Sequence, residues 1–177
     1  MTGNADTAPA PTLPDGIVII VKEECETCQT VVPVLQQLHA ATELTVYTQD
    51  NASFPSAPTA AHDADLAVSW HHDIETVPTV IVVRNGVEVE RTVGWMRPEW
   101  ERLTGVDGLG EGLPVMRPGC GSMSVDPDLV DMLRVRFGAS DLAARRVDVA
   151  DAEDVMEMMF NRGWTDGLPV VPPTEQR

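Results

Sequence analysis

Residues 17–38 read IVIIVKEECETCQTVVPVLQQL, which is a strand pattern followed by a short acidic turn and a helix pattern. The run from Ile17 to Val21 is continuously apolar and β-branched, as expected of a strand that is covered on both faces. Cys25 and Cys28 lie at the predicted start of the helix. Two thiols at this spacing on a helix start face the same way and are close enough to form a disulfide. The helix N-terminus stabilises a thiolate there.

The Cys-x-x-Cys spacing fits two kinds of chemistry. A redox pair is complete as it stands, whereas a zinc site needs a second Cys/His pair at ligand spacing. The remaining candidate ligands in the chain are Cys120, His39, His62, His71 and His72. Because His71 and His72 are adjacent, they point in different directions on a helix. The spacing therefore favours redox chemistry, and metal handling by Cys25, Cys28 and either Cys120 or the two adjacent histidines is the alternative.

The composition narrows the class of protein. A chain of 177 residues suits one domain with an appendage or two small domains, and a hydrophobic content of 43% is enough for a core. The net charge of −16 argues against nucleic acid and anionic membrane surfaces as partners. No apolar run reaches the length of a membrane span, and the first residues lack the pattern of a signal peptide. We therefore expect a cytoplasmic protein whose three cysteines serve catalysis or metal binding rather than a structural framework.

Helix and strand patterns alternate after the cysteines. Apolar residues recur at helical spacing over residues 27–41, and Pro33 inside that pattern is predicted to kink the helix. Residues 43–50 alternate as a strand does. A second helix is predicted over residues 63–73, with Asp63 as its cap.

The next part of the chain has the pattern of a hairpin. Residues 80–83 form a buried strand, and Asn85-Gly86 directly after it is a strong hairpin signal. Pro98 then opens a short helix at a first-turn position. The order strand, helix, strand, helix, hairpin, helix predicts an α/β fold with a mixed sheet.

Residues 16–104 resemble thioredoxin, because four features occur together and in the order of that family. They are Cys25-x-x-Cys28 after a buried strand, Pro33 in the following helix, Val77-Pro78-Thr79 before a strand, and Asn85-Gly86 in a hairpin with Gly94 after it. The resemblance implies a thioredoxin-like fold, in which helices flank a central mixed sheet. It also implies a redox-active disulfide and no further cofactor.

The resemblance assigns roles to several residues. Cys25 would be the attacking thiol and Cys28 the buried, resolving thiol. Pro78 would follow a cis peptide bond and lie against the disulfide, whereas on its own the Val77-Pro78 pair fits an ordinary trans turn before a strand. In this family the backbone beside that proline pairs with the substrate chain, so Val77, Pro78 and Thr79 are predicted substrate-binding residues.

The sequence departs from thioredoxins proper at the cysteines. Those proteins resemble Trp-Cys-Gly-Pro-Cys at this site, whereas here Glu24-Cys25-Glu26-Thr27-Cys28 is present, and the buried carboxylate of the family's first strand is replaced by Ile19. Nearby carboxylates raise a cysteine pKa and the helix N-terminus lowers it, and the sequence alone leaves that balance open. Glu24 and Glu26 are also predicted to select a basic partner by electrostatic complementarity.

The sequence over residues 105–124 is rich in Gly and Pro and predicts a linker or a long irregular loop. Cys120 lies near its end, between two glycines. It is either a third redox thiol, exchanging with Cys25 or a partner, or a small residue in a turn. The second interpretation is favoured because no base is identifiable beside it.

The ends of the chain differ from its centre. Residues 1–15 are rich in Pro, Ala and Thr and are predicted to be a disordered tail. Residues 125–177 are predicted to be a helical extension. One helix is predicted to begin at Asp126-Pro127 and end at Phe137, followed by a short helix or turn over residues 139–145. A further helix is predicted over residues 151–162, capped by Asp151. Apolar residues after it, such as Trp164 and Leu168, are expected to dock.

The last part of the chain carries a second resemblance. Residues 158–177 resemble the start of a catalytic domain in a family of thioredoxin-linked and selenocysteine-containing proteins known by the motif letters UGSC. That resemblance implies that this chain stops where such a domain would begin, as the start of a truncated second domain.

The sequence as a whole predicts a thiol–disulfide oxidoreductase that uses Cys25 and Cys28 to reduce a partner protein or a linked downstream domain. The alternative from a different class is a non-catalytic binding or assembly module with the same fold, in which the cysteines are incidental or form a fixed disulfide. No oligomeric state is predicted.

Overall fold

The computed structural model describes residues 10–138, 154–166 and 168. Its strands are β1 (Gly16–Val21), β2 (Leu44–Thr48), β3 (Ala61–His62), β4 (Thr76–Val77), β5 (Thr79–Arg84), β6 (Val87–Val93), β7 (Trp95–Met96), β8 (Met116–Arg117) and β9 (Cys120–Gly121). Its helices are α1 (Glu26–Thr30), α2 (Val32–Ala41), α3 (Ala67–His71), α4 (Arg97–Thr104), α5 (Val130–Phe137) and α6 (Val155–Asn161).

Five of these strands form a mixed sheet in the order β3-β2-β1-β5-β6. Strand β1 runs parallel to β2 and antiparallel to β5, and β6 returns antiparallel beside β5. The central position of β1 explains its apolar sequence, because Val18 to Val21 have no exposed surface. The sheet with its flanking helices has the predicted thioredoxin-like fold, followed by a helical and irregular extension.

Pro33 interrupts the helix that follows the cysteines. The chain leaves helical geometry at Val31, where φ is −87° and ψ is 0°, and Pro33 lies in the first turn of α2. Proline cannot donate a backbone hydrogen bond to the preceding turn, so the predicted kink is a break between α1 and α2. The buried face of α2 consists of Val34, Leu35 and Leu38, as the helical spacing predicted.

The predicted hairpin joins β5 and β6. Asn85 and Gly86 both have positive φ, of 54° and 71°, which is the geometry that a two-residue hairpin turn requires. The Gly86 N–H also donates to Asp15 Oδ1 at 2.8 Å, which ties the turn to the residue before β1.

The segment 105–124, for which the composition predicted a linker or a long irregular loop, is packed onto the sheet domain. Strand β8 pairs with β7, placing Arg117 opposite Trp95, and β9 pairs with β4, placing Cys120 opposite Val77. The glycines and prolines here shape an irregular loop that follows the surface. The domain boundaries at residues 104 and 124 stay a prediction.

The starts of α3, α5 and α6 differ from the sequence prediction. Helix α3 begins at Ala67 rather than at residue 63, although the Asp63 carboxylate still accepts hydrogen bonds from the N–H groups of Val68 at 3.0 Å and Ser69 at 2.9 Å. Helix α5 begins at Val130, because residues 126–129 form a turn.

Helix α6 begins at Val155 and is capped by Asp154, whose carboxylate accepts from Met156 N and Glu157 N. Asp151, the predicted cap, lies outside the described residues, as do residues 1–9 of the predicted tail, the predicted turn over residues 139–145 and residues 169–177. Trp164 and Leu168 were expected to dock, but they are 48% and 65% exposed. Over the described ranges no helix has the length and apolarity needed to cross a membrane.

Candidate redox site

The turn that carries the cysteines is held by Asp50, a residue that the sequence analysis did not single out. Its carboxylate accepts hydrogen bonds from Glu23 N at 2.8 Å, Glu24 N at 2.9 Å and Asn51 N at 2.8 Å. Burial acts to raise the pKa of Asp50, but these backbone donors outweigh it and lower the pKa. Asp50 can reach the turn because β1 and β2 are parallel neighbours, so the ends of both strands meet at one edge of the sheet.

Cys25 occupies the N-cap position of α1. Its sulfur accepts a hydrogen bond from Cys28 N at 3.3 Å and lies 3.5 Å from the carbonyl oxygen of Val77. The Cys28 thiol donates to the same sulfur and lowers the pKa of Cys25 most strongly, against the opposing effect of burial. With further donors from Cys120 and from the backbone of Cys28 and Thr27, the pKa of Cys25 is about 5. Cys25 is therefore a thiolate at neutral pH.

Cys28 has the opposite character. It has no exposed surface, and burial together with the hydrogen bond that its thiol gives Cys25 raises its pKa far above the ordinary range. All three cysteines are free thiols in this structure. The pair therefore consists of a thiolate that accepts and a protonated thiol that donates.

The glutamates of the turn do not govern the ionisation of Cys25. Glu23, Glu24 and Glu26 are exposed, and the carboxylate of Glu26 forms an ion pair with Arg117 at 3.0 Å. The largest interactions that shift the pKa of Cys25 include no carboxylate. The sequence left open whether carboxylates or the helix N-terminus determine the pKa of Cys25. In the structure, hydrogen bonds to the Cys25 sulfur determine it. Glu24 and Glu26 remain available on the surface beside the site.

The predicted substrate-binding residues lie beside Cys25 but are covered. Val77, Pro78 and Thr79 are all buried, and the Val77–Pro78 peptide bond is cis. The Thr79 hydroxyl donates to the carbonyl of Thr76 at 2.6 Å, which fixes the chain on both sides of the proline. The backbone edge of Thr76 and Val77 is occupied by β9.

Cys120 is brought to the site by that pairing. Its thiol donates a hydrogen bond to the Cys25 sulfur, and burial and this hydrogen bond raise the pKa of Cys120. Cys120 is half-buried, whereas Cys25 and Cys28 have no exposed surface. Sequence reasoning favoured a small residue in a turn, because nothing local to Cys120 indicates a neighbour almost a hundred positions away.

The segment Met116–Gly121, here called the strap, crosses over the start of α1. The Thr27 hydroxyl donates to the carbonyl of Pro118 at 2.7 Å, and Arg117 donates to the Thr30 hydroxyl at 2.6 Å. Gly119 lies so close to β4 that an added Cβ would clash with Thr76 Cγ2 and lie 2.7 Å from the carbonyl oxygen of Val77. Only glycine fits there without a shift.

The chain beyond the strap is anchored by a buried polar network. Gln49 donates to the hydroxyls of Ser69 at 2.7 Å and Ser122 at 2.6 Å, and its carbonyl oxygen accepts from Met123 N at 3.1 Å. The Ser124 hydroxyl, which lies 2.9 Å from that of Ser122, donates to the carbonyl of Ile74. The two serines are thus held in structural contacts.

The two adjacent histidines have other neighbours. His71 packs edge-on against Phe137 with ring centroids 5.2 Å apart, and His72 Nε2 lies 2.8 Å from the carbonyl oxygen of Pro11. No group of His, Cys, Asp and Glu side chains within residues 10–138, 154–166 and 168 is arranged to hold a metal ion. The metal alternative therefore gains no support from a specific arrangement of ligands.

Comparisons with known proteins add little to this geometry. No protein-family model matches the chain, and no curated protein matches it. Among solved structures, the chain is similar to StoA from Bacillus subtilis, with a TM-score of 0.39 and 18% identity over 49% of this chain and 81% of that chain. At that degree of similarity the likeness carries no argument about function.

Proposed function

We propose that this protein is a thiol–disulfide oxidoreductase whose dithiol pair is Cys25 and Cys28. The observation that carries the proposal is the hydrogen-bonded pair at the start of α1, in which Cys25 is poised as a thiolate and Cys28 as its thiol donor. A thiolate is the nucleophile of disulfide exchange, and a neighbouring thiol is needed to resolve the mixed disulfide.

The proposed reaction has two exchange steps. The Cys25 thiolate attacks one sulfur of a partner disulfide, so that a mixed disulfide forms and the other partner sulfur leaves as a thiolate. Cys28 then loses its proton and attacks Cys25, which releases the second partner thiolate and leaves a Cys25–Cys28 disulfide. The partner gains two electrons, the pair loses two, and an external dithiol restores the reduced pair. The chemistry requires no cofactor besides the disulfide.

The proposed partner is a disulfide in another protein or in a domain linked to this chain, in the cytoplasm. Glu24 and Glu26 lie exposed beside the site, and the net charge of −16 favours basic partners over nucleic acid or anionic membranes. Val77, Pro78 and Thr79 would line the docking position once the strap moves aside.

A redox titration tests the proposal. Protein equilibrated across ratios of reduced to oxidised dithiothreitol is alkylated, and its free thiols are counted by mass. We expect a reversible two-electron midpoint assigned to Cys25 and Cys28. Because a low pKa at Cys25 stabilises the reduced pair, the potential should lie above the thioredoxin value of roughly −270 mV. A pair that never forms a disulfide would refute the proposal.

The complete burial of both thiols supports a second candidate function, a non-catalytic binding module. In that case Cys25 under the strap would be part of the core, and residues 105–177 would mediate assembly. A Cys25→Ser/Cys28→Ser variant separates the two candidates. The module predicts that the variant keeps all function, whereas the oxidoreductase predicts complete loss of disulfide exchange with retention of the fold.

A further inference from the structure

Cys25 has two thiol neighbours, which approach it from different parts of the chain. Cys28 lies one helical turn along α1, while Cys120 is carried by β9, whose pairing with β4 places it opposite Val77. Both thiols lie near enough to the Cys25 sulfur to lower its pKa, and that sulfur lies 3.5 Å from the carbonyl oxygen of Val77, the residue opposite Cys120. The attacking sulfur is therefore within reach of two candidate resolving groups.

The two neighbours differ in access to solvent. Cys28 is completely buried, whereas Cys120 is half-buried and lies close to Lys22, whose charge lowers its pKa against the larger raising effects of burial and of its bond to Cys25. A resolving thiol must ionise before it attacks, so the half-buried group can pass its proton to water without a passage through the core.

The strap also controls access to Cys25. With the strap in place Cys25 has no exposed surface, so a protein disulfide can reach it only after Met116–Gly121 moves away. The strap is held by the backbone pairing of β8 with β7 and of β9 with β4, and at the start of α1 by the polar contacts of Thr27, Thr30 and Glu26 with Pro118 and Arg117. Return of the strap brings Cys120 back to the sulfur that then carries the partner.

We propose that Cys120 is a second resolving thiol, which releases the partner by forming a Cys25–Cys120 disulfide. This proposal rests on the proposed oxidoreductase function and adds a catalytic residue to it. Cys120 gives its proton to solvent and attacks Cys25 Sγ in the mixed disulfide. The bond from Cys25 to the partner breaks, the Cys25–Cys120 bond forms, and the partner leaves as a thiolate that takes up a proton. The partner is reduced by two electrons, and Cys25 and Cys120 are oxidised together.

A disulfide reagent with a coloured leaving group tests this step in the full chain. One molecule of dithiodipyridine per chain releases one thiopyridone when Cys25 attacks and a second one only when a neighbouring thiol resolves the adduct. We expect Cys28→Ser to release both and to end as a Cys25–Cys120 disulfide, identified by peptide mass. Cys28→Ser/Cys120→Ser should release one and keep the pyridyl adduct on Cys25.

The controls separate the two proposals. If Cys120→Ser releases both thiopyridones while Cys28→Ser releases one, Cys28 is the sole resolving thiol and the present inference is wrong, although the oxidoreductase stands. If neither variant nor the unmodified chain releases the second thiopyridone, the oxidoreductase itself fails. Because serine at the buried position 28 could disturb the fold, Cys28→Ala is run in parallel. A low protein concentration suppresses disulfides between chains.

Discussion

The sulfur of Cys25 receives hydrogen bonds from the thiols of Cys28 and Cys120 and from the backbone N–H groups of Cys28 and Thr27. These donors outweigh the cost of placing a charge at a buried position, and each of them favours the thiolate. Burial and the hydrogen bond that it gives Cys25 keep the proton on Cys28, whose pKa is raised. Cys25 is thus the thiolate and Cys28 the protonated thiol because the Cys25 sulfur lies at the start of α1.

We predict that the thiolate absorbance of the reduced protein rises with pH in a step centred at about 5, and that Cys25→Ala abolishes this step. Cys120→Ala should move the midpoint upward, because it removes one donor to the sulfur. An ultraviolet pH titration measures both effects. A first thiolate step near the ordinary value of 9.0 would contradict the hydrogen-bonded arrangement.

The lowered pKa of Cys25 also makes the stability of the fold depend on pH. The folded-state pKa of Cys25 is depressed, so the unfolded chain holds a proton that the folded chain has released between pH 5 and 9.0. The contribution of Cys25 is therefore fully present above its unfolded pKa and is lost as the pH falls through the folded pKa of about 5.

Asp50 supplies a second prediction at the level of a single residue. Asp50→Asn replaces one carboxylate oxygen with an amide donor, so the N–H groups of Glu23 and Glu24 can no longer both be satisfied. We expect a loss of about 1–3 kcal/mol in the free energy of unfolding, measured in urea, and faster reaction of Cys25 with alkylating reagents. Asp107→Asn, at an exposed position, is the matched control and should change neither quantity.

The pH dependence of the Asp50 effect provides an internal check. Because the pKa of Asp50 is lowered in the folded state, its contribution is present above the ordinary value of 3.8 and disappears as the pH falls through the folded pKa. The difference in stability between the unmodified chain and Asp50→Asn should therefore shrink in acid. A difference that stays constant down to the lowest pH would show that the carboxylate charge is not involved.

Among the elements, the strap is expected to limit access to Cys25, which has no exposed surface. Gly119→Ala places a methyl group against Thr76 and the Val77 carbonyl, whereas a methyl group at Gly121 meets nothing within 4 Å. We predict that Gly119→Ala displaces β9 and raises the alkylation rate of Cys25 roughly tenfold, equivalent to about 1.4 kcal/mol of lost closing free energy. Gly121→Ala should leave the rate unchanged.

Mass spectrometry after timed alkylation measures the two rates. If Gly119→Ala and Gly121→Ala react alike, then access to Cys25 does not depend on the strap. In the Cys28→Ser background, Gly119→Ala should also slow the release of the second thiopyridone without slowing the first, because only the resolving step needs Cys120 in register with Val77.

The sequence predicted those elements whose signals are local. The apolar run of β1, the proline break between α1 and α2 and the Asn85-Gly86 turn each depend on residues close together in the chain. The strap could not be predicted, since β8 and β9 have two residues each and pair with strands twenty or more positions away. Cys25 and Cys28 were found by their spacing, whereas Asp50 and the position of Cys120 depend on the sheet order and on the path of the loop.

For the whole molecule, the net charge of −16 sets the long-range interactions of the site. Glu23 and Glu24 are exposed at the turn next to Cys25, whereas the charge of Glu26 is partly offset by Arg117. An acidic surface attracts cationic partners before contact and repels anionic ones, and salt screens this effect over about 10 Å at 0.1 M. Partner choice is therefore expected to depend on ionic strength.

We predict that a disulfide peptide flanked by lysines is reduced faster than one flanked by glutamates, and that the ratio of the two second-order rates falls toward unity as salt is added. Glu24→Gln should lower the ratio at low salt. Glu43→Gln removes the same charge at the opposite end of β1, where the Glu43 carbonyl accepts from Ile17 N, and should have a smaller effect.

Stopped-flow measurement of peptide reduction at several salt concentrations gives these ratios. Equal effects of the two substitutions would mean that only the total charge matters, and a ratio independent of salt would remove the electrostatic basis for partner selection at this turn.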